Sequence, residues 1–292
     1  MISWRSSTSS RSGSDALLLW GLRGMGLVST AIVLLIAVFV ARESFPLLRS
    51  VSPVRLFTDS AWNPLEGAYN MAPMLMGTLV VSAGAVLLSA PLGIASAIFC
   101  NFYAPPSVAR GYRAVIELLA GIPSVVYGLW GLMVVVPWLA RFEPPGVSVL
   151  AGILILALMI LPTMVMVADA TFARIPSEYF QGAAALGLSR WTTVRTIAIP
   201  SARRGLLTGA LLQTGRAVGE TMAVLMVCGN VVQIPKSLAD PVRTLTANIA
   251  LEMAYAMGVH RAALFTSGLL LLVMILVIIA CAELVNRERS NA

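Results

Sequence analysis

Apolar and polar positions fall in long blocks along this chain, with little of the two-residue alternation that marks a half-buried strand. Charge-free runs cover residues 24–41 (18 residues), 118–140 (23), 144–168 (25) and 262–282 (21), and 43 uncharged residues separate Glu66 from Arg110. About 20 consecutive apolar residues cross the hydrocarbon of a bilayer as a helix. The 43-residue block has its apolar centre at 75–99, with Pro91 and Gly93 inside it. A further run begins after Arg204 and reaches about Asn230, interrupted by Arg216 and Glu220. The pattern predicts an all-α polytopic membrane protein with six transmembrane helices.

Composition agrees with the pattern. Apolar residues make up 58% of the 292, charged residues 11%, and mean hydropathy is +0.87. Soluble domains carry about 25% charged residues, so a water-soluble globular enzyme is excluded. The net charge of +7 comes from 20 basic and 13 acidic residues, and the single lysine is Lys236. These basic residues punctuate apolar blocks instead of gathering on a solvated face, which argues against nucleic-acid binding. With the Ser-rich leader on the cytoplasmic side, twelve arginines fall on cytoplasmic segments and seven basic residues opposite, so both termini are expected inside. Leader and first apolar run imitate a signal peptide, but the later spans favour an uncleaved first helix. Cys100, Cys228 and Cys281 form no short-spaced set, and His260 is the only histidine, so neither a disulfide scaffold nor a zinc site is expected. His260, beside Arg261 at the edge of the sixth span, reads as an interfacial side chain.

Candidate chemistry concentrates in the fifth span, LTGALLQTGRAVGETMAVLMVCGN. Arg216 lies sixteen residues beyond Pro200, about 24 Å along a continuous helix. Arg216 and Glu220 share an i,i+4 spacing that one helical face would present as an ion pair. Gly215 and Gly219 repeat that spacing beside them and would admit a close helix crossing or leave room for a solute. Charges inside a span are costly unless paired or solvated, and they commonly line a pathway. A buried pair that only fixes packing is the other reading.

Residues 174–204, RIPSEYFQGAAALGLSRWTTVRTIAIPSARR, form a moderately polar segment between the fourth and fifth spans. Their Ala/Leu-rich start, Gly187 and Pro200 predict a short helix, a turn and a return to the membrane; an interfacial amphipathic helix fits the composition as well. No phosphate-cradling G-x-x-x-x-G-K-[ST] loop occurs, because Lys236 follows a proline. Any process driven through such a loop requires another subunit.

Gly187, nine residues, Ile197, one residue and then Ile199-Pro200 resemble the E-A-A…G…I-x-L-P loop of ATP-binding-cassette importer permeases. The initial triplet here is Gln181-Gly182-Ala183, which lacks the carboxylate of that pattern. GRAVGETMAVLMVCGN, the later RTLTANIALEMAYA and the earlier IPSVVYGLWGL at 122–132 narrow the resemblance to C-type permease subunits of bacterial phosphate-specific importers, over nearly all of 70–284.

The resemblance implies a type I importer permease fold with five core helices and a peripheral first helix. The chain would then divide into a polar cytoplasmic leader (1–15), a peripheral first membrane helix (16–42), an extracytoplasmic segment (43–70), a permease core (71–284) and a cytoplasmic tail (285–292). The core would hold a cytoplasmic coupling loop at 174–200 and an outer segment at 231–260. The resemblance also implies a bacterial inner-membrane location and a non-catalytic translocation subunit without a bound cofactor. ATP and Mg²⁺ would belong to two partner ATPase subunits, alongside a homologous second permease and an extracytoplasmic phosphate-binding protein. It assigns Arg216 and Glu220 to the phosphate route, with Gly215 and Gly219 packed beside it. Glu178, Gln181, Gly182, Ala183 and Gly187 would dock the ATPase. Arg243, Thr244, Thr246, Asn248 and Glu252 are candidates for an outer vestibule, with helix capping an equal reading for the threonines and the asparagine. Another oxyanion (sulfate, molybdate or phosphonate) is the nearest alternative substrate. A binding-only scaffold and a self-sufficient secondary carrier are the other classes.

Overall fold

A computed structural model describes residues 13–288; most of the expected leader and residues 289–292 of the expected tail lie outside the described residues. The helices in chain order are α1 (Gly13–Ser50), α2 (Arg55–Thr58), α3 (Ala72–Ile98), α4 (Pro106–Ala120), α5 (Ser124–Trp130), α6 (Val136–Ala140), α7 (Val149–Ala173), α8 (Ser177–Ala185), α9 (Arg190–Thr193), α10 (Ile199–Gly219), α11 (Met222–Val227), α12 (Leu245–Glu252) and α13 (Gly258–Glu288). Two short strands, β1 (Trp62–Asn63) and β2 (Ala68–Tyr69), pair antiparallel with Trp62 opposite Tyr69. Among the described residues, four helices are long and apolar enough to cross a membrane, and the bent pair 106–120 with 124–140, taken as one span, makes a fifth. The count of six is thus approximate: α10 carries Arg203, Arg204, Gln213 and Arg216 and does not reach the apolar threshold.

α7 is the central element. Ser148 caps its first turn by accepting the Ala151 N–H at 3.2 Å, and thirteen of its 25 residues are buried. Its N-terminal half, with Ile155, Leu156, Met159 and Ile160, packs against Val81 and Ala85 of α3 and Val224 and Val227 of α11. Its C-terminal half, with Met164, Ala168 and Phe172, packs against Ala97 of α3 and Ala202 and Leu206 of α10. Pro91 and Pro162 sit inside continuous helices, where neighbouring helices can satisfy a freed carbonyl.

α1 leans on α13, with Phe39 edge-on to Phe265 at 5.7 Å and Arg261 3.5 Å from Glu43. Its large side chains from Leu18 to Phe39, such as Leu27 and Leu35, are largely exposed, which suits a lipid-facing helix. It runs well past the charge-free stretch, because Arg42 and Glu43 sit on its far end without breaking it.

The third expected span is corrected. Residues 118–120 belong to α4, an amphipathic helix bearing Arg110, Arg113 and Glu117, and the chain bends by 92° before continuing as 124–140. Pro123 has no N–H to donate and disfavours helical geometry at Ile122, while Gly121 ends α4. The remaining 17 residues include a π-helical turn at Gly131–Val135.

Outside the spans, Asp59 organises the 55–69 hairpin. It accepts the Tyr69 N–H and the Arg55 Nε–H, each at 3.0 Å, and these bonds hold its carboxyl below the ordinary carboxylate value.

Candidate functional site

The fifth span does not continue through its charged pair. α10 ends at Gly219, and Glu220 is extended at φ −69°, ψ 132°. The expected intrahelical ion pair is therefore absent: an i,i+4 contact requires helical backbone across both residues. Arg216 is exposed on the last turn of α10, and its Nη1 makes a long 3.4 Å hydrogen bond to Thr163 Oγ1 of α7. Glu220 turns the other way and accepts the Ala223 N–H at 3.1 Å, serving the first turn of α11. The expected packing at Gly215 and Gly219 is also corrected. A Cβ at either position would meet nothing within 4 Å, so among the described residues neither glycine seats a close helix crossing; α13 comes near Gly215 only across a small gap lined by Ile275 and Ile279. The close crossing is instead at Gly205, where a Cβ would collide with Thr171 of α7.

The break is tied to the start of α12 by consecutive hydroxyls. Ala247 N–H donates to Thr244 Oγ1 at 3.2 Å, Thr244 pairs with Thr246 at 3.0 Å, and Thr246 Oγ1 donates to the Glu220 carbonyl at 2.7 Å. Thr244 thus caps α12, while Thr246 and Asn248 are buried. These three do not line an open vestibule: the threonine hydroxyls are engaged as above, and Asn248 accepts from Arg243 Nη1 at 3.0 Å while its buried Nδ2 has no partner among the described residues. Arg243 and Glu252 do line a cavity of about 710 Å³, with Trp62, Tyr255 and His260. Glu252 accepts from Arg243 Nη1 at 2.8 Å and from Trp62 Nε1 at 2.9 Å, and lies 2.9 Å from His260 Nε2. His260 is thus a member of this polar cluster, not a lone interfacial ring. Nearby, Asp240 accepts the backbone N–H groups of Lys236 and Ser237 at 2.7 and 2.9 Å, which lower its pKa from the ordinary value.

At the other end of the bundle, α8 closes with a left-handed glycine. Gly187 has φ +68°, its N–H donates to Ala184 O, and the Leu188 N–H donates to Ala183 O, both at 3.0 Å. This is the paired bonding of a Schellman cap, which favours glycine. Space around Gly187 is open, so backbone conformation and not crowding demands glycine. Glu178, Gln181 and Gly182 are exposed, but Ala183 is 2% exposed and faces inward; it supports α8 and cannot itself form a docking contact. A cavity of about 540 Å³ lies between α8 and the bundle, lined by Phe172, Phe180 and Leu188 among others.

Sequence reading missed a polar cluster on α7. Asp169 receives Arg113 Nε and Nη2 at 2.9 Å each, and Asn101 Nδ2 at 2.7 Å. Its partners lie 56 and 68 residues away, so no local spacing signalled them. Gln213, fully buried on α10, accepts Ser89 Oγ–H at 3.3 Å and leaves its Nε2 without a partner among the described residues.

Comparison with known proteins adds to this geometry. Residues 89–291 match the family described as binding-protein-dependent transport system inner membrane component. The chain is 38% identical to the probable ABC transporter permease protein YqgH of Bacillus subtilis, covering 92% of this chain and 91% of that one. It is 36% identical to the phosphate transport system permease protein PstC of Mesorhizobium japonicum, with 77% and 76% covered. Among solved structures, a bacterial alginate ABC transporter chain matches with TM-score 0.66 and 17% identity over 96% of this chain and 98% of that one. A chain of the MetNI methionine ABC transporter matches with TM-score 0.58 and 19% identity over 75% and 93%. The two structural likenesses establish the fold, that of a type I importer permease.

Proposed function

The chain belongs to the family of binding-protein-dependent transport system inner membrane components, and from that premise we propose that it carries inorganic phosphate into the cytoplasm as one permease subunit of an ATP-driven importer. The observation that carries the reading is Arg216, exposed at the end of a broken span and unpaired with Glu220, in a chain 32–36% identical to several phosphate permeases. A guanidinium offers an oxyanion a planar fork of donors, and a single exposed cation can also let the anion leave.

Covalent chemistry has no part in this subunit's work. A second, homologous permease would complete the pathway, and two cytoplasmic ATPase subunits holding ATP and Mg²⁺ would bind the exposed side of α8. An extracytoplasmic phosphate-binding protein would deliver the anion to the face bearing Arg243 and Glu252. Closure of the ATPases would move α8, and α10 with Arg216 would be exposed alternately to the two sides. Both termini lie in the cytoplasm in this arrangement.

Reconstitution with the partner permease, ATPase and binding protein tests the reading. ATP-dependent uptake of labelled phosphate should resist competing sulfate. Sulfate, molybdate or phosphonate taken up in its place would transfer the function to another oxyanion, flux without an active ATPase would indicate a secondary carrier, and no flux of any anion would leave a scaffold.

A further inference from the structure

α7 is enclosed on most sides, yet one strip of it stays open. Thr163, Met166, Ala170 and Arg174 follow at helical spacing; Thr163 is half-buried and the other three are exposed. Across from them, antiparallel α10 presents Arg216, Leu212 and Thr208, all exposed. The two helices are held together behind these strips, where Gly209 meets Met164 and Val167. Beside this crossing lies a cavity of about 420 Å³ lined by Met166, Ala170, Arg174, Gly205 and Thr208. At about 30 Å³ per water molecule, that volume accommodates a small anion with much of its hydration shell.

Two cations mark the ends of this groove. Arg216 reaches Thr163 at one end, and Arg174 lies eleven residues further along α7, about 16 Å at helical rise. Across Met166, a smaller cavity contains Arg113, but that guanidinium is already engaged by Asp169 at 2.9 Å. Among the described residues, no ion pair to a carboxylate within 4.0 Å involves Arg174.

We propose that the groove between α7 and α10 is the cytoplasmic exit vestibule for the anion, with Arg174 as a second cationic station beyond Arg216. The proposal rests on the reading of Arg216 as part of a phosphate route. Two weak stations, with water between them, hold a hydrated oxyanion without trapping it, because each cation binds while neither encloses it. The same oxyanion chemistry belongs to phospholipid headgroups, so the test separates the two sources.

The experiment uses the whole complex in nanodiscs, with the exposed native thiol Cys281 replaced by serine and buried Cys100 and Cys228 kept. A reporter thiol enters through Thr208→Cys, or through Ala170→Cys if the first fails to assemble. Its modification by a neutral, water-soluble thiol reagent is timed with and without inorganic phosphate, in phosphatidylcholine and in phosphatidylglycerol. Phosphate should slow modification several-fold in both lipids; Arg174→Gln should abolish the protection and Arg174→Lys should restore part of it. Equal rates with and without phosphate would overturn the proposal, as would protection that depends on phosphatidylglycerol alone. Uptake by Arg216→Gln in reconstituted vesicles tests the underlying reading separately. Wild-type uptake there removes the route through Arg216, whereas loss of uptake with an unprotected reporter removes only the vestibule.

Discussion

Thr246 donates its hydroxyl hydrogen to the backbone carbonyl of Glu220 across 2.7 Å, fixing α12 to the break between α10 and α11. Thr246→Val removes the donor and leaves that carbonyl without its partner, at a cost of about 1–3 kcal/mol. Thr246→Ser keeps it. Thermal unfolding of the purified complex should fall in the valine variant and stay near wild type in the serine variant, with uptake following the same order. Equal unfolding temperatures for valine and wild type would show that the bond does not contribute to stability.

The left-handed cap at Gly187 makes a different kind of prediction, because its Cβ position is open and its φ is +68°. Asparagine tolerates that conformation better than β-branched residues do. Gly187→Asn should retain most ATPase stimulation, and Gly187→Val should lose most of it while still assembling, since strain at such a position costs about 1 kcal/mol or more. If both variants behaved alike, the conformational account would fail.

Acidification should loosen the loops that hold Asp59 and Asp240. The folded-state pKa values of Asp59 and Asp240 are lowered from the ordinary 3.8 by bonds to Tyr69, Lys236 and Ser237. Their contribution is complete above the unfolded-state value and is lost as pH falls through the lower folded-state values. Hydrogen exchange at the Lys236 and Ser237 amides, corrected for intrinsic rate, should therefore lose protection below about pH 4. Asp240→Asn retains an acceptor but cannot titrate, so the pH dependence at those amides should flatten.

Arg113 and Asp169 join α4 to the C-terminal half of α7, with side chains 39% and 21% exposed. Partial solvation limits such a pair to about 1 kcal/mol in a double-mutant cycle, below the several kcal/mol lost when one member of a fully buried pair is removed. Arg113→Gln and Asp169→Asn should each lower the unfolding temperature modestly, and together by less than their sum. Strict additivity would mean that the two residues do not stabilise each other.

The apolar runs were legible because hydrocarbon thickness sets a length that composition alone can meet, as in α7 and α13. Gly187 was legible too, since a glycine between a short helix and a polar turn marks a cap. The third span misled because Leu118, Leu119 and Ala120 look like its beginning, although they finish an amphipathic helix set apart by Gly121 and Pro123. The spacing of Arg216 and Glu220 misled for a related reason: i,i+4 means contact only while the helix continues, and α10 stops between them. Asp169 ended an apolar run in the sequence without announcing a role. Its partners come from α4 and from the π-helical turn Phe99–Tyr103, and only tertiary packing brings them together.

Because Arg216 and Glu220 point to different partners, their substitutions should separate. Arg216→Gln removes a positive charge whose only hydrogen bond among the described residues is a long one to Thr163, so complex stability should hardly change while phosphate uptake falls. Glu220→Gln keeps an oxygen to accept the Ala223 N–H and should preserve α11, whereas Glu220→Ala removes the acceptor and should cost about 1 kcal/mol, the usual value of a helix N-terminal cap. With no ion pair to break, Arg216→Gln and Glu220→Gln should be additive in unfolding free energy to within about 0.5 kcal/mol. A larger coupling would mean that the side chains meet in some state of the transport cycle. Uptake is then normalised to intact complex and measured beside ATP hydrolysis. If Arg216→Gln transports phosphate at the wild-type rate, the charge is not required for translocation and the anion must cross elsewhere.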